Sequence, residues 1–359
     1  MIKSVYNIKR IIRTSFLGRS HIYLFVRFFV HRKEMDLAIS RHLGQDVSAE
    51  RKKQLKQQMK YAMVHYRWDF DEFFLFHFMD YDDAKRKSFV PEYDKNIFCD
   101  LVNTPKQADV FLDKWTTYKY FKDMFGRDVC YLYSSADIDR KACNAFLSKH
   151  QSFIVKPADG TRGQGIEIIR TQSAYEAKNL LLQKYEAAKG ALFLEELIES
   201  HEKLKALHPE SLNTLRIITI HYKDRVEVMH AWLRIGQGKS TIDNTSAGGV
   251  FGVIDVITGK IYGACDRLSH TFEKHPDSGI NLIGFEIPYW EEAKALVMQA
   301  AEVLPEVRYV GWDVAIIPTG CVLVEGNDKG RWSFQFPKQE GARDEMNKIL
   351  KEFNIAEIR

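Results

Sequence analysis

At 359 residues, with 45% hydrophobic and 28% charged side chains, the chain reads as a folded protein of two or three subdomains and not as a disordered one. A formal net charge of +4 over this length gives no argument for nucleic-acid binding. Five scattered cysteines (Cys99, Cys130, Cys143, Cys265, Cys321), without a C-x-x-C pair, fit free thiols in a reducing cytosol.

Met1 to Lys33 is basic and apolar, and its greasiest stretch is Ile22 to Val30. That run is nine residues long and carries Arg27, far short of the ~20 residues that span a bilayer. It also lacks the small-residue cleavage site of a signal peptide. Two readings stay open: a helix packed on the protein's own core, or an amphipathic helix resting on an anionic membrane face. Residues 34–90 continue in helical manner, with Ser48 as the cap of a helix that starts at Ala49. From Tyr61 to Tyr81 aromatic residues crowd the chain, Trp68, Phe73, Phe76 and Phe78 among them. The interleaved Asp69, Asp71, Glu72 and Asp80 would repel a phosphate backbone, so the expectation is an inward-packing or substrate-clamping helical subdomain that Pro91 ends.

Asp113 to Gly126 reads as a helix closing at a glycine, with Lys114, Lys119 and Lys122 on it; such lysines ordinarily form a solvated face. Next, the apolar run Phe153-Ile-Val155 leads straight into Lys156 and Pro157. A lysine in that place can serve as a point charge for phosphate oxygens. Gly160, Gly163 and Gly165 follow, and their bare backbone can form an anion-binding concavity or merely a hairpin turn. The segment is not a P-loop, and the tempting Gly238-Lys239-Ser240 has Leu233 where the first glycine belongs. Nor does it follow Rossmann order.

Leu192 to Ile198 is an apolar strand carrying the acid pair Glu195 and Glu196. Arg216 and Arg234 sit in two further strand-like runs, suited either to bidentate capture of a phosphate or carboxylate or to a buried structural ion pair. Asp243-Asn244-Thr-Ser-Ala-Gly248-Gly249 then reads as a loop. Finally Asp313 precedes an apolar run, Pro318-Thr-Gly320 reverses the chain, and a second run leads to Glu325 and Asn327. Antiparallel pairing through that turn returns Glu325 beside Asp313, and Asn327 shares the face of Glu325. Three oxygen donors would converge there, suited to one or two Mg²⁺ ions, since two carboxylates that close would otherwise repel. A zinc-protease site is excluded, because Lys205 stands where H-E-x-x-H, begun at His201-Glu202, needs its second histidine.

The phosphate lysine, the glycine turn and the carboxylate hairpin, in this order and spacing, resemble the ATP-grasp superfamily over roughly the C-terminal two thirds of the chain. Within it the chain looks most like the sugar-transfer-associated ATP-grasp proteins, related to the glutamate ligases. The resemblance implies an α+β fold in which two α+β subdomains, 96–195 and 196–359, clamp ATP behind a helical N-terminal domain, 1–95. It also implies roles. Lys114, in its Asp-Lys pair, contacts phosphate, with Lys119 in reserve. Glu195 or Glu196 holds the ribose, while Leu197 and Ile198 bracket the adenine edge. Arg216, Arg234 and Asn244 support the γ-phosphate, an acylphosphate or the acceptor acid. The expected activity is ATP- and Mg²⁺-dependent carboxylate–amine ligation in the cytoplasm, at or near the inner membrane face. A phosphotransferase, a peptide or amino-acid ligase and a non-catalytic nucleotide-binding module are the rivals. Lys329, Arg331 and Gln335, just past the acids, suit an anionic, hydroxyl-rich acceptor such as a sugar acid or glycan precursor for the envelope or capsule.

Overall fold

A computed structural model describes residues 32–158, 165–188, 190–240, 243 and 248–358. These residues fall into two compact units: 32–103, 268–270 and 331–358 form the first, and the described residues of 104–267 and 271–330 form the second. The expected N-terminal amphipathic stretch, up to residue 31, lies outside the described residues. Among them, no helix is long and apolar enough to cross a membrane.

The first unit is helical. Helices α1 (Arg32–Leu43), α2 (Ala49–Tyr66) and α3 (Glu92–Val102) are joined by short turns and one-turn helices. Ser48 caps α2 as expected, its Oγ accepting from Arg51 N at 3.2 Å, which satisfies one of the orphan donors at a helix start. The aromatic run packs inward: Trp68, Phe73, Phe76 and Phe78 are buried in one cluster with Met59 and Ala62 of α2. The segment 331–358 belongs to this unit. Gln335 is buried, and its side chain accepts from Val90 N at 2.9 Å and donates to Val90 O at 3.0 Å. Asp94, wholly buried on α3, is neutralised by Arg67 and by Arg343, whose Nη2 lies 2.5 Å from its Oδ2.

The second unit holds two antiparallel sheets. Helix α4 (Lys114–Phe125) leads in, capped by the Asp113 carboxylate on Thr116 N at 2.7 Å. It ends at Gly126, whose φ of 56° and lack of Cβ are both required, because an added Cβ would lie 2.5 Å from Val322 Cγ1. The chain then runs through β1 (Val129–Leu132), α5 (Lys141–Lys149), β2 (Ser152–Pro157), β3 (Glu167–Arg170), α6 (Ala174–Ala188) and β4 (Leu192–Glu196). The four strands pair in the order β1-β4-β2-β3. Leu132, Phe153, Val155, Ile169 and Leu194 turn one face onto Phe146 of α5 and Leu181 of α6. By alternation the opposite face carries Tyr131, Lys156, Phe193 and Glu195.

Strands β5 (Leu215–His221), β6 (Val226–Ile235), β7 (Val250–Ile254) and β8 (Ile261–Cys265), helix α7 (Trp290–Val303), then β9 (Tyr309–Ile317) and β10 (Gly320–Asn327) complete the unit. The second sheet has the order β10-β9-β5-β6-β7-β8. Leu215, Ile217, Leu233, Trp312 and Val314 cover one face with Ala293, Val297 and Ala300 of α7. That burial forces the intervening residues, Arg216, Arg234 and Asp313 among them, onto the other face.

Candidate active site

On that other face the register assembles a row of charge. Glu325 of β10 is directly opposite Asp313 of β9, and Asp313 is directly opposite Arg216 of β5. Asp313 is 5% exposed and held by a fork of hydrogen bonds. Arg216 Nε donates to its Oδ1, Arg216 Nη2 to its Oδ2 at 3.0 Å, and Arg234 Nη2 to the same Oδ2 at 2.7 Å. Arg234 also donates to Thr214 Oγ1, and Asp243 Oδ2 accepts from both Thr214 N and Thr214 Oγ1 at 2.6 Å. Burial alone would raise the Asp313 carboxyl's pKa, but the Arg216 and Arg234 charges outweigh it and hold it below the usual range. For Arg234 burial pulls the other way, and Asp313 and Asp243 together push it up.

The expected oxygen donors are therefore brought together, with Asn327 two residues along β10 on the face of Glu325. A β-bulge makes this so. Between Leu323 and Glu325 the register shifts by one, leaving Val324 without a partner on β9. Were the strand straight, with Val324 paired to Asp313, Glu325 would face Trp312 and the core. The set also has room for a cation. An ionised carboxylate offers about four lone-pair sites, and the arginines take three on Asp313, leaving one on Oδ1. Asn327 Oδ1 accepts from Lys329 N at 3.0 Å and keeps a second lone pair, and Glu325 is exposed.

A second cluster stands on the first sheet. Lys156, 8% exposed, donates from Nζ to Glu195 Oε1 at 2.8 Å. Glu195 Oε2 takes Arg127 Nε at 3.1 Å. Burial raises the Glu195 carboxyl, and the two cations more than reverse the effect. The acid pair thus separates: Glu195 is the counter-ion of Lys156, whereas Glu196, half-buried at the strand end, accepts from Asp128 N at 2.9 Å. Leu197 and Ile198 follow directly, half-buried, beyond the strand. The backbone of Lys114 is brought beside the end of β2, its main-chain N–H 3.4 Å from Ala158 O, while Lys119 is exposed on the solvated face. Gly165 takes φ 71°, and an added Cβ would lie 2.8 Å from Pro157 Cγ, so glycine is required there. Gly160, Gly163 and Asn244 lie outside the described residues.

Two expected acceptor groups belong to the other unit. Gln335 is a buried backbone partner of Val90, and Arg331 lies 3.9 Å from Glu92, both within the helical unit. Conversely, sequence reasoning missed Arg127, Thr214 and Asp243. The only local signal for Arg127 is a charge placed between a helix-ending glycine and an apolar strand. Among the described residues, Asp128, His150 and Glu196 also gather three ligand atoms within 4.8 Å. Lys149 Nζ and His150 Nε2 already lie 3.1 and 3.0 Å from Asp128 Oδ2, which makes this an ion-pair network. All five cysteines are free.

Residues 94–351 match the family described as sugar-transfer associated ATP-grasp. No curated protein matches the chain. Among solved structures, the chain is similar to an L-amino acid ligase from Bacillus licheniformis, with TM-score 0.41 and 11% identity over 68% of this chain and 47% of that one. A D-alanyl-alanine synthetase A from Vibrio cholerae gives TM-score 0.45 and 15% identity over 70% of this chain and 67% of that one. An N5-carboxyaminoimidazole ribonucleotide synthetase from Thermotoga maritima gives 0.42 and 13%, over 74% and 57%. The chain spans about half the length of the first of these.

Proposed function

The chain belongs to the sugar-transfer-associated ATP-grasp family, and from that premise we propose that it is an ATP- and Mg²⁺-dependent carboxylate–amine ligase. The observation that carries this reading is the single face of the second sheet on which Asp313, Glu325 and Asn327 lie beside Arg216 and Arg234. Asp313, Glu325 and Asn327 would hold Mg²⁺, which when bound polarises phosphoryl oxygens. Lys156 and Lys114 supply positive charge to the phosphates, the backbone after Glu196 meets the adenine, and Gly160, Gly163 and Gly165 let amide N–H groups approach the phosphate oxygens.

Arg216 and Arg234 are already oriented by Asp313 and would hold the acceptor and the transferred phosphoryl group in line, with Asn244 as a further donor. An acceptor carboxylate oxygen attacks the γ-phosphorus and the bond to the ADP oxygen breaks, giving an acylphosphate. An amine nitrogen then attacks the acyl carbon, the carbon–oxygen bond to phosphate breaks, and the nitrogen gives up a proton. The products are an amide, ADP and inorganic phosphate. The reading needs no serine or cysteine nucleophile.

For the acceptor, the family description together with the cationic groups Lys329, Arg216 and Arg234 supports a carboxylated sugar or glycan precursor, joined to an amino acid or similar amine. The basic, apolar stretch Met1 to Lys33 would bring the enzyme to such a precursor at the cytosolic membrane face. The test incubates the protein with ATP, Mg²⁺ and a panel of uronic acids, nucleotide sugars and amino acids, with and without amine, and weighs the products. An amide formed with a sugar acid is expected. A phosphate ester with no inorganic phosphate would make the protein a phosphotransferase, and turnover only with amino-acid or peptide carboxylates would remove the saccharide acceptor.

A further inference from the structure

Arg127 lies on neither row of expected site residues, yet it touches Glu195 of one and the strand that carries Glu325 and Asn327 of the other. Its side chain is 1% exposed, between the turn at Gly126 and strand β1. Every nitrogen of the guanidinium is engaged. Nε donates to Glu195 Oε2 at 3.1 Å, and Nη2 lies at the same distance from that oxygen. Nη1 donates to Phe125 O at 3.0 Å and to Leu323 O at 2.6 Å, and Nη2 reaches Val324 O at 3.4 Å. Leu323 and Val324 are the residues of the β10 bulge, and β10 is the edge strand of its sheet. Their outward carbonyls have no neighbouring strand, so Arg127 supplies the missing donors at the point where the register shifts.

We propose that Arg127 is a positioning residue that couples the two halves of the site. Through the carbonyls of Leu323 and Val324 it holds the bulge that turns Glu325 and Asn327 onto the face of Asp313. Through Glu195 it fixes the ammonium of Lys156. A lysine at this position could keep the charge toward Glu195, but a point charge cannot span three carbonyls in fixed directions as the planar fork does. The two arms are therefore separable by substitution. The affinity consequences rest on the ligase reading; the effect on the bulge does not.

The experiment compares wild type with Arg127→Lys and Arg127→Met. Calorimetry measures ADP affinity without metal and Mn²⁺ affinity with ADP bound, and hydrogen exchange is followed on residues 320–327 without any ligand. Arg127→Met is expected to weaken both affinities about 10- to 100-fold, the usual effect of losing a group that orients a ligand. Arg127→Lys is expected to restore ADP binding to near wild type and leave Mn²⁺ binding weak. In both variants exchange at Glu325–Asn327 rises on the order of tenfold relative to β9. A general loss of packing would instead move both affinities and all strands together, and that result overturns the proposal, as does wild-type exchange in β10. Should wild type bind no nucleotide, the ligase reading falls, and the exchange comparison still decides whether Arg127 holds the bulge.

Discussion

Asp313 is the residue on which most of the second sheet's charge depends, because two guanidinium groups converge on one buried carboxylate. Removing it takes their shared counter-ion from both guanidinium groups in a water-poor place and leaves Arg234 only Asp243, 4.0 Å away, a change worth about 3–5 kcal/mol. Asp313→Ala is therefore expected to lose stability as well as Mg²⁺-dependent turnover, whereas exposed Glu325→Ala loses turnover at near wild-type stability; urea denaturation beside an ATPase assay separates the two. Lys156→Met is expected to cost nucleotide affinity worth about 1.5–3 kcal/mol, the scale of a charge-assisted contact, and unchanged affinity by calorimetry would remove it from the phosphate cradle. Acid provides a further check. Asp313 and Glu195 both have folded pKa values below their usual ones. Their stabilisation is thus fully present above the unfolded carboxylate range, about pH 3.9–4.3, begins to fall there because only the unfolded chain then takes up protons, and is lost as pH drops on through the lower folded values. Denaturation midpoints should be flat from neutral pH to about pH 5 and fall below that, less steeply in Asp313→Asn. Lys156 was legible because a lysine inside an apolar strand demands a reason. Arg127 was not, because its partner Glu195 is 68 residues away and no local pattern announces it.

At the scale of elements, the acid hairpin owes its chemistry to an irregularity. Deleting Val324 should remove the bulge and leave Glu325 directly after Leu323, still opposite Asp313, so Mn²⁺ binding is expected to persist while β9 and β10 still pair; only a straightened strand that keeps Val324 would turn Glu325 toward the core. Calorimetry with Mn²⁺ and the CD spectrum read the two effects. Gly326 is under a matching constraint: a Cβ there would lie 2.3 Å from Phe111 Cε1, so Gly326→Ala is expected to cost about 1–3 kcal/mol by overpacking, read as a shifted denaturation midpoint. The hairpin was legible in outline because Pro318-Thr-Gly320 sits between two apolar runs. The bulge was hidden, since Val322-Leu-Val-Glu325 alternates no differently in a bulged strand than in a straight one. The helical unit was legible for a related reason: its aromatic residues outnumber what a surface would carry, and most are buried.

Across the whole molecule, the first unit is built from both ends of the described chain. Cutting after Gly330 would leave Val90's N–H and C=O without Gln335, and Asp94 with Arg67 alone. Such a protein should lose the compactness of residues 32–103 while the sheets of 104–330 persist, so limited proteolysis is expected to cut among α1, α2 and α3 first. Cleavage no faster than in the full chain would show that the helices stand without the terminal segment. Nothing in the sequence pointed to this pairing. Gln335 follows the acid hairpin so closely that it reads as a substrate group, and only the tertiary structure shows it spent on a backbone 245 residues earlier.

That pairing also sets a timetable for synthesis. Val90 leaves the ribosome 245 residues before Gln335 does. At about 5–20 residues per second the wait is roughly 12–50 s. Throughout it, Phe76 lacks Phe336 and Phe98 lacks Trp332, their ring partners in the finished unit. The helical unit can therefore be completed only once residues 331–358 have emerged.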